Sequence, residues 1–379
     1  MIIFGYAVFL TGENKMKKFF AVFTAILFSG CAFYSEQPSA AKTAVSEYRV
    51  LVLGDIHYEG KQYHVIPGMK YRTKYSKKYD EMWKTSMPEL FTASARLLDK
   101  NVPFVAQLGD FIQGYLPLKE QRAKMLDDAF KTVKTYYPDH KLLSVPGNHD
   151  NQCFGPKTVV KSLKDYQTYA EVFTPHIARE LGREIKNNYV IRHGEDLYIF
   201  YDTYIKPDDS IKFLRETFKS YPKNRYVFLL THLPLFASCT ASPGWLMPYY
   251  RKVADILFEQ NAIVLAAHTH VPSVIKVSNG KGSITQMVAS SIGYSWNTGK
   301  PFGIRANSFD EMLKRVLPQR LKKPMHKKPI DYLKSLKIES YELYDNATGF
   351  VYLNVSSKGV FAEFYTDKSG KPAAVKKLK

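Results

Sequence analysis

Residues 48–57 read YRVLVLGDIH, an apolar, β-branched run that stops at Gly54 and gives way to a carboxylate, Asp55, and an imidazole, His57, two residues apart. A strand buried on both faces looks like this, because neither side of its pleat needs polar residues. Runs at 104–108, 142–145, 226–230 and 262–266 are also short and nearly all apolar, and each leads into a polar exit. The second leaves through GD with Asp110, the third through GNHD with Asn148 and His149, the fourth through THLP with His232, and the fifth through AHTH with His268 and His270. In α/β sheets ligands bind beyond the carboxyl ends of the strands, so these side chains are expected at one rim.

Helix-like stretches at 90–98, 119–133, 211–218 and 250–258 lie between the runs, and this alternation predicts an α/β architecture. A second set of strands is expected at 189–192, 197–202, 283–288, 350–355 and 360–365, with turn-like breaks at 194–196 and 356–359. The simplest packing of this inventory is a two-sheet β-sandwich flanked by helices. No internal repeat is visible in the sequence.

Composition narrows the chemistry. With 45% hydrophobic and 23% charged residues over 379 positions, the chain is neither disordered nor of low complexity, and it can bury a large core without disulfides. Its 54 Lys and Arg against 35 Asp and Glu, a net charge of +19, favour an anionic partner: a phosphorylated substrate, nucleic acid or an acidic membrane surface. Charge alone does not choose among these, and no nucleic-acid-binding motif is visible. The three cysteines, Cys31, Cys153 and Cys239, are too few and too scattered for a cysteine-based zinc site. Any metal must therefore be held by His, Asp and Asn.

Five of the ten histidines, His57, His149, His232, His268 and His270, fall at the strand exits, whereas His64, His140, His176, His193 and His326 do not. One histidine after a strand is more often a satisfied structural residue than a ligand. Five of them, joined by Asp55, Asp110 and Asn148, are hard to explain as packing, since so many polar groups at one rim need a common partner. A metal centre is the expected partner.

As an ordered set these motifs resemble the calcineurin-like metallophosphoesterases, whose pattern runs DxH, GDxxD, GNHD or GNHE, H and GHxH. The resemblance extends from Tyr48 to His270 and implies an αββα sandwich with a binuclear centre. It implies that Asp55, His57 and His270 hold one ion, that Asn148, His232 and His268 hold the other, and that Asp110 bridges them. His149 would stand beside them as catalytic acid or phosphate contact. The cofactors implied are two divalent or trivalent ions of the Mn, Zn or Fe kind, which carboxylates and imidazoles suit. Such a pair brings the pKa of a bound water down to about 7 and neutralises phosphoryl oxygens as charge builds on them. Hydrolysis of a phosphomonoester or phosphodiester by the resulting hydroxide is the expected reaction, without a covalent phosphoenzyme. A reading from another class is a non-catalytic module whose metals are structural and whose basic surface grips anions or lipid head groups.

Two positions depart from the family pattern. GDxxD reads GDFIQ, so Gln113 stands where related phosphatases carry the carboxylate that orients the catalytic histidine. Its amide oxygen can accept the Nδ1 proton but cannot stabilise imidazolium as a carboxylate would, unless Asp150 or another group substitutes. The first Gly of GHxH is Ala267, a change expected to perturb only a backbone turn. Purple acid phosphatases place a ligating Tyr where Gln113 stands, so a colourless centre is expected here.

Outside the motifs, residues 16–31 read MKKFFAVFTAILFSGC, the charged, apolar and small-residue layout of a secretory signal, with an apolar run too short for a permanent span. FSGC resembles a bacterial lipobox, which would make Cys31 the lipidated first residue of an exported, envelope-anchored protein. The alternative is ordinary cleavage near Ala40 and Ala41. Residues 1–15 read as an upstream start extension, 32–46 as a tether and 47–379 as one domain with a basic, proline-broken insertion at about 301–337. Residues 58–83, rich in Tyr, Lys and Arg, leave directly from the first exit and either cover the site or pack locally. Cys153 and Cys239, on loops expected near the second ion, could pair in an exported protein.

Overall fold

The computed structural model describes residues 47–63, 81–114, 116, 119–151, 166–239, 245–293, 302–315, 322–345 and 347–379. The strands are, in chain order, β1 (Glu47–Leu53), β2 (Val105–Gln107), β3 (Leu142–Ser144), β4 (Tyr189–His193), β5 (Asp196–Phe200), β6 (Val227–Leu230), β7 (Ile263–Ala266), β8 (Ser273–Ser278), β9 (Ser283–Val288), β10 (Ile304–Ala306), β11 (Lys337–Tyr344), β12 (Phe350–Ser356), β13 (Gly359–Tyr365) and β14 (Ala374–Lys377). The helices are α1 (Ser86–Arg96), α2 (Lys119–Lys134), α3 (Asn148–Asn151), α4 (Tyr166–Leu181), α5 (Pro207–Ser220), α6 (Tyr250–Phe258), α7 (Phe309–Arg315) and α8 (Pro324–Lys334).

Two sheets form, ordered β14-β13-β12-β1-β2-β3 and β10-β11-β8-β9-β7-β6-β5-β4. At the heart of the first, β1, β2 and β3 run parallel; in the second, β5, β6, β7 and β9 do. The five strands with polar exits therefore divide between the sheets, β1 to β3 in one and β6 and β7 in the other. Side-chain alternation sets the layers. Tyr198, Phe200, Phe228, Leu230, Ile263 and Leu265 join the core of the first sheet, while their neighbours Leu197, Ile199, Leu229 and Val264 face a second core with α5, α6, α7 and α8. Helices α1, α2 and α4 supply Phe91, Met125, Phe130 and Phe173 to the first core. The result is a sandwich of two sheets with helices outside, an αββα architecture. Tyr48 on β1 ties the sheets together, its hydroxyl lying 2.7 Å from both Asp196 Oδ2 and Tyr198 Oη.

Some elements escape a sequence reading for identifiable reasons. Helix α4 carries Pro175 in its interior, which reads as a breaker. In β11 the register shifts between Ile338 and Ser340, so its apolar residues lose strict alternation. Within the basic segment 301–337, the described residues build β10, α7 and α8. Phe309, Met312, Ile330 and Leu333 enter the second core while Lys322, Lys323, Lys327 and Lys328 face outward. The signal segment, the tether and Cys153 lie outside the described residues, and so does the question of a Cys153–Cys239 bridge; Cys239 itself is buried.

Candidate metal centre

Five loops converge at the strand ends: 54–57 after β1, 109–113 after β2 and 147–150 after β3 on one sheet, 231–234 after β6 and 267–270 after β7 on the other. Main-chain hydrogen bonds lock them, His57 N donating to Asp110 O at 2.8 Å, Tyr58 N to Phe111 O at 2.8 Å and Ala267 N to His232 O at 3.1 Å. Seven non-glycine residues among those described have positive φ, and five of them are Asp55, His57, Asp110, His268 and His270. Each such residue costs on the order of 1 kcal/mol, and strain of this kind persists only where the surroundings over-determine it. Glycine permits the close approach beside them: a Cβ on Gly147 would stand 2.0 Å from Asp110 N and 2.1 Å from Asp110 Oδ1.

Side chains from both sheets then meet in two groups. His57 Nε2 lies 3.2 Å from His270 Nε2, which is 3.6 Å from Asp55 Oδ1. His232 Nε2 lies 3.1 Å from both Asn148 Oδ1 and His268 Nδ1. Asp110 stands between the groups, Oδ1 being 3.4 Å from His232 Nε2 and Oδ2 3.8 Å from His57 Nε2. Asp55, His57, Asp110, His232 and His270 are buried, and His149, Asn148 and His268 partly so. All eight side chains singled out in the sequence fall in this cluster.

Protonation follows from burial and charge. Burial and the neighbouring histidines hold His57 and His268 well below the ordinary histidine range, so both rings are neutral and present lone pairs. Burial works against the Asp110 carboxylate, yet His232, His149 and His57 together hold it well below the usual range. Burial likewise opposes charge on His232, but Asp110 beside it raises that ring to about 9. Burial pushes Asp55 up to about 7 against the pull of His232. His232 Nδ1 donates to Leu108 O at 2.8 Å, which turns Nε2 toward Asp110 and His268. Facing imidazole nitrogens around the Asp110 carboxylate, buried and crowded, form groups that could hold metal ions. The ligand atoms of Asp55, His57 and His270 lie within 4.8 Å of one another, as do those of Asp110, His232 and His268.

Three expectations change in detail. His149 Nδ1 lies 2.8 Å from the main-chain carbonyl of Gln113, not from its amide side chain, whose buried Oε1 makes no hydrogen bond among the described residues. Asp150 does not substitute as orienter, because its buried carboxylate accepts Ile112 N at 3.0 Å and Gly147 N at 2.7 Å and so ties two of the site loops together. Burial and the Asp110 charge push it up to about 7. Ala267 lies outside the positive-φ residues, so its methyl group adds no backbone strain. Of residues 58–83, the described ends pack against each other and against α2. Tyr58 meets the Trp83 ring at 4.9 Å, and Tyr63 Oη donates to Asp128 Oδ2 at 2.7 Å. Residues 64–80 lie outside the described set.

Two supporting residues carried no motif signal. Ser291 Oγ donates to Asp55 O at 2.7 Å, and the ring of Trp245 sits 5.2 Å from that of His268.

The calcineurin-like phosphoesterase family model matches residues 48–272, more than half of the chain. The chain belongs to this family. Among solved structures, PhoD is similar at 11% identity with a TM-score of 0.51, over 89% of this chain and 70% of that one. A dimetal phosphatase from Danio rerio is similar at 13% identity with a TM-score of 0.48, over 88% of this chain and 99% of that one. GAP50, the anchor in the inner membrane complex of Plasmodium, is similar at 11% identity with a TM-score of 0.47, over 88% and 89%. No sequence among the curated proteins matches. At such identities the likeness to PhoD speaks for the fold alone. Membership in the calcineurin-like phosphoesterases supports a phosphoesterase whose Asp and His groups could hold metal ions.

Proposed function

We propose that the protein is an exported, metal-dependent hydrolase of phosphomonoesters or phosphodiesters. The observation that carries this reading is the bridging posture of Asp110, one oxygen toward each group of donors. Asp55, His57 and His270 would hold one ion, Asn148, His232 and His268 the other, and Asp110 both. Two such ions, when bound, supply Lewis acidity toward phosphoryl oxygens and an acidic water.

The chain's own residues do the rest. Left-handed backbone and buried carboxylates hold the donors in place before substrate arrives, so little reorganisation accompanies the reaction. His149 N donates to Asp110 Oδ1 at 2.8 Å, which fixes the start of that loop against the bridge. The Gln113 carbonyl accepts the His149 Nδ1 proton and aims Nε2 at the site, where it delivers a proton to the leaving oxygen. The basic surface draws in the anionic ester.

Export and a lipid anchor on Cys31 rest on the lysine, apolar and small-residue run at 16–31. No described helix is long and apolar enough to cross a membrane.

The test is turnover of a panel of monoesters, diesters, cyclic nucleotides and pyrophosphates with Mn or Zn. Activity that His232→Ala abolishes supports the reading. No cleavage under any metal overturns it in favour of an anion-binding module.

A further inference from the structure

Trp245 is 51% exposed, an unusual state for the largest apolar side chain, and its ring lies 5.2 Å from that of His268 with the planes inclined at 53°. His268 in turn contacts His232, so the indole borders the donor cluster directly.

The backbone holding it is firmly seated. Met247, two residues on, is buried, and its N–H donates to Pro234 O at 3.0 Å, tying this segment to the loop that carries His232. That loop is clamped from beneath by Gln286. Its Oε1 accepts Leu235 N at 2.7 Å and Phe236 N at 2.8 Å, while its Nε2 donates to Phe236 O at 3.0 Å. The indole therefore pays no core-packing debt and is presented by a preorganised support, the arrangement expected of a binding surface.

We propose that Trp245 is the platform for the organic group of the ester, and that this group carries a planar aromatic ring. The inference rests on the phosphoesterase reading and narrows its substrate class. A flat ring stacked on the indole while phosphate engages the donor cluster would gain roughly 10-fold or more in affinity.

The test measures calorimetric Kd values of phenylphosphonate and methylphosphonate for Mn-loaded wild-type protein, Trp245→Leu and Trp245→Phe, together with their metal content. Wild type should bind phenylphosphonate at least about 10-fold more tightly than methylphosphonate, Trp245→Leu should lose that margin with methylphosphonate unchanged, and Trp245→Phe should keep most of it. Comparing kcat/KM for an aryl phosphate and a nucleoside monophosphate, each against glycerol phosphate, separates an aryl source from a nucleobase. Equal wild-type affinities, an equal loss of both ligands in Trp245→Leu, or loss of metal in that variant overturns the platform. Wild type that binds neither phosphonate and cleaves no ester overturns the phosphoesterase reading itself.

Discussion

His149 takes its orientation from the main chain of Gln113, whose carbonyl oxygen lies 2.8 Å from Nδ1. A carbonyl accepts that proton whatever side chain the residue bears. Gln113→Ala should therefore leave kcat/KM within about threefold of wild type, whereas His149→Ala should cost about 10²–10⁴-fold. Steady-state kinetics on the best ester of the panel checks this. A collapse in Gln113→Ala comparable to that in His149→Ala would return the orienting role to the side chain.

Asp110 should be the residue on which both ions depend. Asp110→Asn keeps the shape but removes the charge that balances the surrounding imidazoles. Elemental analysis should find two ions per chain in wild type, and at least one should bind more than about 100-fold more weakly in the variant, beyond the upper range for loss of an outer partner. Iron-loaded wild-type protein should lack a tyrosinate charge-transfer band, since Gln113 stands at the position where purple acid phosphatases carry their ligating tyrosine.

Gly147 is required by its close contact with Asp110. Because the nearest atoms to a new methyl group are Asp110 backbone and carboxylate atoms, Gly147→Ala must displace the Asp110 loop. Expected are lost metal content and a destabilisation of about 1–3 kcal/mol, read by elemental analysis and urea unfolding. Unchanged metal content would show that the loop yields without consequence.

Asp202, at the exit of β5, supplies a pH signature away from the donor cluster. Burial pushes its carboxyl up to about 6, although Tyr204 N and Asn187 Nδ2 donate to it. The folded state then holds this proton more tightly than the unfolded one, so the contribution to stability is complete below about pH 4 and is lost as pH rises through 6. Unfolding free energies from urea titrations across pH 4–7 should fall in wild type relative to Asp202→Asn, by an amount on the order of 2 kcal/mol. Parallel profiles would contradict the assignment.

Cys31 should carry lipid. Labelling with radioactive palmitate in a bacterial host should mark wild type and not Cys31→Ser, and the variant should leave the membrane fraction. Soluble, unlabelled wild type would favour ordinary cleavage near Ala40.

How much was legible in the chain follows from the range of the forces involved. Buried strands show as continuous apolar runs because burial on both faces is a local constraint on composition, and Asp55, Asp110, His149, His232 and His270 each follow one within a few residues. Helix α4 and strand β11 were hidden because neighbours elsewhere in the chain override Pro175 and the bulge near Ile338. The eight polar side chains at the strand exits, their order and their chemical kind were thus determined by sequence alone. Only the tertiary structure decided that they come from two sheets, that Asp110 turns an oxygen to each group, that a main-chain carbonyl rather than an amide holds His149, and that Trp245 borders His268. Those are distances between residues up to 213 positions apart along the chain, and no local pattern of side chains encodes them.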